Sequence, residues 1–308
     1  MTSTEIVSLE RSIEILKSKV IRLTESCPVF ETPVSGLLLY QHDQPSKPEN
    51  AVYEPCISVI LQGAKRAILG EDSYIYSRTQ FLIASVHLPT VVQIVEASPE
   101  KPCVGLGLKL NIQEISQLMT DSHLPSAIGQ QTSRGLMLGM TTSSLLDAFF
   151  RLVALLDEPR DIPILGDLIK REIYYRLLVG DQGERLRQIA SIGSQSHFIA
   201  RSIDWLQSNY TEPFSIETLS GLANMSKSTF NHHFRLMTDL SPLQFQKRLR
   251  LQEAKRLMLA ERMDAASAAF VVGYESPSQF SRDYKRLFGK SPLRDVNDLL
   301  KDAKRDHE

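Results

Sequence analysis

Cysteine is scarce in this 308-residue chain. The three present, Cys27, Cys56 and Cys103, are odd in number and far apart. They form no CxxC metal pattern and fit a reducing cytoplasm. Long apolar runs are missing too. No stretch reaches the ~18 residues that a membrane-spanning helix needs. The beginning, "MTSTEIVSLERSIEILKSK", is too polar for a secretory signal, so a cytoplasmic protein is expected. Metal signatures are also lacking: His42 and His87 sit among the β-patterned segments without an HxH or a carboxylate–histidine cluster.

What remains is 42% hydrophobic and 23% charged, a soluble globular composition long enough for two domains. The net charge of −1 hides an asymmetry. Residues 1–200 hold 18 Lys and Arg against 22 Asp and Glu, whereas residues 214–294 hold 13 against 7. A basic C-terminal part on a mildly acidic remainder suggests a polyanion-binding module attached to something else.

Ile6, Leu9, Ile13, Leu16, Val20 and Leu23 recur at helical spacing, so residues 5–24 are expected to be an amphipathic helix packed on its own domain. From about 34 to 110 the pattern changes to short apolar runs such as "CISVILQG", "QFLIAS" and "CVGLGLKL", separated by turn residues. Ile57, Val59 and Leu61 alternate, and "GEDS" at 70–73 has hairpin chemistry. A small antiparallel barrel or sandwich follows. From about 111 to 180 the pattern is helical, with a helical hairpin around Pro159 and Pro163 whose apolar surface can meet the barrel or a second copy of the chain. The Gly/Ser/Gln-containing stretch 181–199 is expected to mark the junction. The class is therefore α+β, with an N-terminal domain over 1–196, an all-α domain over 197–298 and a polar tail over 299–308.

The all-α part contains a repeat. "SKSTFNHHFRLMTDLSPL" (226–243) and "SPSQFSRDYKRLFGKSPL" (276–293) share Ser226/Ser276, Ser228/Ser278, Phe230/Phe280 and the closing Ser-Pro-Leu. Each copy follows a short apolar helix and a tight connection, with a serine placed to cap the next helix. That is the helix-turn-helix layout, over about 216–238 and 264–288, whose second helix enters the DNA major groove. At ~100° per residue, Phe230, Phe234 and Met237 share one face, as do Phe280, Tyr284 and Leu287. The opposite faces are polar. His232 and His233 diverge, so a His–His metal site is not expected, and the second copy has Arg282 and Asp283 at the same places. The connecting segment carries Lys247, Arg248, Arg250, Lys255 and Arg256, some of them expected on phosphate.

Segment 199–297 resembles the AraC/XylS-type DNA-binding domain. The residues that carry the likeness are "LSGLANMSKSTFNHHF", "SPLQFQKRLRLQEAKRLML" and "AFVVGYESPSQFSRDYKRLFGKSPLR". Carried over position by position, the base-facing residues are Ser228, Asn231 and His232, then Ser278, Gln279 and Arg282. Lys227, Thr229, Arg235, Arg248, Ser276, Ser281 and Lys285 are the neighbours on phosphate. Asp239 departs from the family's usual glycine at the end of the first recognition helix. The stretch 53–111, with "YEP", "QGAKR" and "ASPEKP", is similar to the cupin-like regulatory domain of one AraC subfamily. This implies an effector-responsive homodimer, with RNA polymerase as a partner if the protein activates, and implies no enzyme, cofactor or metal. Two alternatives stand beside it: a metal-dependent cupin enzyme fused to a DNA-binding domain, and a constitutive architectural DNA binder. Cys56 and Cys103 are weighed as effector or redox sensors against a role as small buried hydrophobes.

Overall fold

The computed structural model describes residues 3–125 and 132–305. The first periodic segment forms helix α1 (Ser3–Thr24), with Leu9, Ile13, Leu16 and Val20 all buried. These residues pack on helix α3 (Ser143–Ala154) and on the barrel, so the seam serves its own domain. The side chain of Ile6 lies outside the described part.

Among the described residues, ten strands follow the turn signals: β1 (Val29–Glu31), β2 (Leu37–His42), β3 (Glu49–Tyr53), β4 (Cys56–Gln62), β5 (Ala64–Leu69), β6 (Asp72–Ser77), β7 (Gln80–Ala84), β8 (Leu88–Glu96), β9 (Cys103–Lys109) and β10 (Leu136–Met140). They make two antiparallel sheets, ordered β1-β2-β9-β4-β7-β10 and β3-β8-β5-β6. Ile57, Val59 and Leu61 are buried on the α1 side of β4. Ser58, one residue out of phase, faces the space between the sheets, where it meets Tyr40 and Tyr76. The "GEDS" turn is a hairpin pairing Leu69 with Asp72, and Gly70 takes φ +62° there.

Two strands fall outside the β-rich range read from the pattern. β1 precedes residue 34, and β10 lies well inside the segment read as helical, pairing with β7 to extend the larger sheet. "LMLGM" is five apolar or small residues, and a run that short has no period to distinguish strand from helix.

Helix α2 (Ile112–Asp121) is capped by Asn111, which accepts from the Gln113 and Glu114 amides. Helices α3 and α4 (Ile162–Val179) form the hairpin. The stretch 181–199, read as the junction, is largely helical. It holds helix α5 (Gly183–Ala190) and the start of α6 (Gln195–Ser208), and Leu186, Ile189 and Ile199 are fully buried.

The remainder is helical: α7 (Ile216–Leu222), α8 (Lys227–Thr238), α9 (Pro242–Ala260), α10 (Ala265–Val271), α11 (Pro277–Phe288) and α12 (Pro292–Arg305). The polar tail read at 299–308 continues α12 through Arg305, and 306–308 lie outside the described residues. Two hydrophobic cores result. One runs from α1 through the barrel and α3–α6 to Phe230, Phe234, Met237, Phe245 and Leu249. The other gathers Leu251, Ala254, Leu257, Val272, Phe280 and Tyr284. The boundary falls inside α9, between Leu249 and Leu251.

Candidate nucleic-acid interface

Each recognition helix begins at the serine the repeat marks. Ser226 accepts from the Thr229 amide at 3.2 Å, and Ser276 accepts from the Gln279 amide at 3.3 Å. Capping satisfies an otherwise orphaned helix amide and fixes where the exposed face starts. Ser276, assigned to phosphate, thus has its hydroxyl engaged in the cap. The inward residues pack as the spacing requires: Phe234 meets Phe230 at 5.6 Å and Phe245 at 5.5 Å between ring centres, and Tyr284 meets Phe280 at 5.6 Å.

The outward residues divide into two groups. Ser228, His232 and Arg235 on α8, and Ser278, Ser281, Arg282 and Lys285 on α11, are exposed. Lys227 is exposed and paired with Glu217. Asn231, Gln279 and Thr229 are half-buried with their polar groups engaged. The Asn231 amide donates to the Lys227 carbonyl at 2.9 Å, and the Thr229 hydroxyl lies 2.8 Å from Ser226 Oγ. Gln279 donates to Asp283 at 3.0 Å and accepts from Arg282 at 2.9 Å, so it props the arginine outward. Arg248 is half-buried. Burial pulls its guanidinium below the ordinary value, and Asp239 offsets part of that.

The other connecting cations are engaged within the protein. Arg250 donates to the carbonyls of Tyr210 (2.6 Å), Gly273 (2.7 Å) and Thr211 (3.0 Å). It thereby ties the loop after α6 to the turn of the second unit. Gly273 has φ +87°, and a Cβ there would sit 2.2 Å from the Thr211 carbonyl oxygen, so the turn requires glycine. Lys247 pairs with Asp283 at 3.1 Å and Lys255 with Asp295 at 3.1 Å. Arg256 pairs with Glu253 at 2.8 Å and Glu261 at 3.0 Å. These residues were expected on phosphate or in solvent, and every one except Arg248 has an internal partner.

The adjacent histidines have separate environments. His232 is exposed, while His233 is half-buried with Nδ1 lacking a partner. Burial, and then His232, hold the His233 imidazole below its ordinary pKa. At the equivalent place, Asp283 is buried. Burial pushes its carboxyl up, but Gln279, Lys247 and Arg286 outweigh that and leave it below the ordinary carboxylate range. Arg286, 2.7 Å from Asp283 and exposed, is a cation on α11 that pattern reading passed over.

Of the two cysteines weighed as sensors, Cys56 lines a cavity of the N-terminal domain. Cys103 is fully buried and Cys56 half-buried. Burial pushes their thiols up to about 11 and about 12, the opposite of thiolate activation. His87 Nδ1 lies 3.3 Å from Asp204 on α6. Among the described residues, no three His, Cys, Asp or Glu side chains gather as a metal site. Between the sheets lies a cavity of about 550 Å³ bordered by Leu38, Tyr40, Val52, Tyr53, Ser58 and Lys65. Sequence reasoning missed it, although Lys65 sits in "QGAKR" and Gly107 in "VGLGLK".

Two capped helix pairs on one shared helix, built against a β-barrel domain, define the class of double helix-turn-helix regulators. Residues 33–185 match the model of the AraC-type transcriptional regulator N-terminus, and residues 219–296 match a helix-turn-helix domain model. The chain belongs to the AraC/XylS family. It is 32% identical over 129 residues to the raffinose operon transcriptional regulatory protein RafR of Pediococcus pentosaceus, covering 42% of this chain and 45% of that one. It is 26% identical over 105 residues to the HTH-type transcriptional activator RhaS of Pectobacterium carotovorum subsp. carotovorum, covering 34% and 38%. The chain thus spans less than half the length of these curated relatives. The fold is similar to ToxT from Vibrio cholerae, with a TM-score of 0.55, 12% identity, and coverage of 85% of this chain and 98% of that one.

Proposed function

We propose that the chain is a sequence-specific transcriptional regulator, not an enzyme, acting in the cytoplasm on nucleoid DNA. α8 and α11 read successive major-groove segments of one duplex. Ser228, Asn231 and His232, then Ser278, Gln279 and Arg282, face the bases, with Lys227, Thr229, Arg235, Ser281 and Lys285 beside phosphate. The observation that carries this reading is the duplication itself. Two helices, each serine-capped and each packed by aromatic residues, present polar faces at equivalent positions, one with His232 and the other with Arg282.

The N-terminal domain, residues 1–196, supplies control. Its cavity is large enough for a small-molecule effector. Ile164, Leu168, Tyr175 and Val179 form an exposed apolar stripe along one side of α4, which suits a second copy of the chain. RNA polymerase is a further partner if the protein activates. The test is genome-wide mapping of bound sites followed by footprinting of the intact protein on the recovered sequences. The expected result is a shared motif with two protected segments about one helical turn apart. Binding without any shared motif would instead favour an architectural DNA binder.

A further inference from the structure

The cavity between the sheets owes its shape to two glycines of β9. Gly105 and Gly107 alternate with Leu106 and Leu108, so both point into the barrel. Gly105 pairs with Tyr40, and a Cβ on it would sit 2.5 Å from the Tyr40 hydroxyl, so the missing side chain makes room for that ring. Gly107 lies between Leu38 on β2 and Ser58 on β4. A Cβ there would meet nothing nearer than the Ile57 carbonyl at 3.9 Å. The space a side chain would take is open cavity.

The polar groups around this space are unequally satisfied. Ser58 Oγ serves both the Tyr40 and Tyr76 hydroxyls at 3.1 Å. The Tyr53 hydroxyl is buried with no hydrogen-bonding partner. Lys65 pairs in register with Tyr76, so its side chain rises on the same inward face. Its amine sits 4.4 Å from the centre of the Tyr40 ring and, among the described residues, makes no ion pair. Glu54 at the mouth is taken by Lys109 at 2.5 Å, and Glu31 is exposed on β1. The Lys65 charge acts across the cavity: after burial, it further lowers the His42 imidazole, and it offsets part of the rise that burial imposes on Cys56. A half-buried cation without an ion pair above an apolar floor leaves a negative charge missing.

We propose that this cavity takes a small organic anion with an apolar body, the acid group held by Lys65 and the body lying over Gly107 between Leu38 and Val52. This names the effector class and rests on the effector reading only for its regulatory meaning. The test is calorimetric titration of the full chain with three probes of one shape: 3-phenylpropionate, 3-phenylpropanamide and 3-phenylpropylamine. The anion is expected to bind about ten-fold or more tightly than the amide, as a charge-assisted contact would give, and the amine weakest. Lys65→Met should erase the preference while leaving amide binding unchanged, which also reports an intact fold. Lys65→Arg should retain the preference. Gly107→Leu should abolish binding of all three. Equal or tighter binding of the amide or amine, a preference surviving Lys65→Met, or no saturable binding of the anion overturns the proposal. Gel shifts on a mapped operator, with and without 3-phenylpropionate, separate the two readings. Binding at Lys65 without a change in DNA affinity removes the effector role and leaves the site.

Discussion

The Arg134 guanidinium donates to the Asp239 carboxylate at 2.7 Å, joining the segment that leads into β10 to the cap of the first recognition helix. The same arginine reaches Asp72 at the end of the β5–β6 hairpin, at 2.8 Å. The Gly135 amide donates to the Met237 carbonyl at 2.9 Å, and Gly70 passes so close that a Cβ on it would strike Asp239. Asp239 holds a left-handed φ of +59°, where the second copy has Gly289 at +79°. The family's usual glycine is thus replaced by a strained aspartate at a cap that touches the barrel. Asp239→Gly should keep the left-handed cap and release the contact. Amide exchange near Met237–Leu240 should accelerate while the second unit is unchanged. Because Arg134 and Asp239 are each about a third exposed, the stability change should stay within about 1 kcal/mol. Unaltered exchange would show that the contact does not restrain the helix.

Phe230 and Phe280 occupy the same position relative to their caps but belong to different cores, with Phe234 one turn beyond Phe230. Phe234→Ala should cost ~3–5 kcal/mol in the first. Phe280→Ala should loosen the second unit and leave the barrel melting normally. Parallel exchange measurements resolve the two, and a common loss in both variants would mean that α9 transmits unfolding across its midpoint.

Arg282 is exposed, and Gln279 holds it without burying it. Arg282→Ala should weaken binding to a mapped operator by ~1–3 kcal/mol and relax preference in one half of the site. Operator affinity and base preference matching the unmodified chain would remove the contact.

Stability should depend on pH near neutrality. Burial is the leading cause that holds His42, His197 and His233 below the ordinary histidine value. Below about pH 6.5 the unfolded chain therefore binds protons that the folded chain resists. Stability is full above that value and is lost as the pH falls through the lowered folded pKa values. Melting temperature should drop between about pH 7.5 and about pH 5.5, and His233→Gln should reduce the slope. A melting temperature that rises on acidification would contradict the sign.

The double reader was legible because duplication displays its constraints twice: matching serines, aromatics and Ser-Pro turns set both helices and both faces. The partners of long side chains were not. Lys247, Arg250 and Lys255 look like a phosphate-binding row in sequence, yet their targets are carboxylates and carbonyls brought close only by tertiary folding. β10 was hidden by its brevity. α5 was hidden by Gly and Ser on either side, although Leu186 and Ile189 anchor it in the core. The cavity left the faintest mark, since an open space over Gly107 is an absence of atoms, and only the register of three strands reveals it.

Helix α9, 19 residues long, gives its first half to one core and its second half to the other. It cannot bend at the middle without disturbing one of them, so it sets a fixed phase between the two readers. One inserted residue would advance the second reader by ~1.5 Å and swing it ~100° around the axis. On a duplex that turns once in about ten base pairs, such a swing aims α11 at the wrong side of the helix. The spacing and rotation of the two half-motifs in any operator are therefore a length measurement of this one helix, written in base pairs.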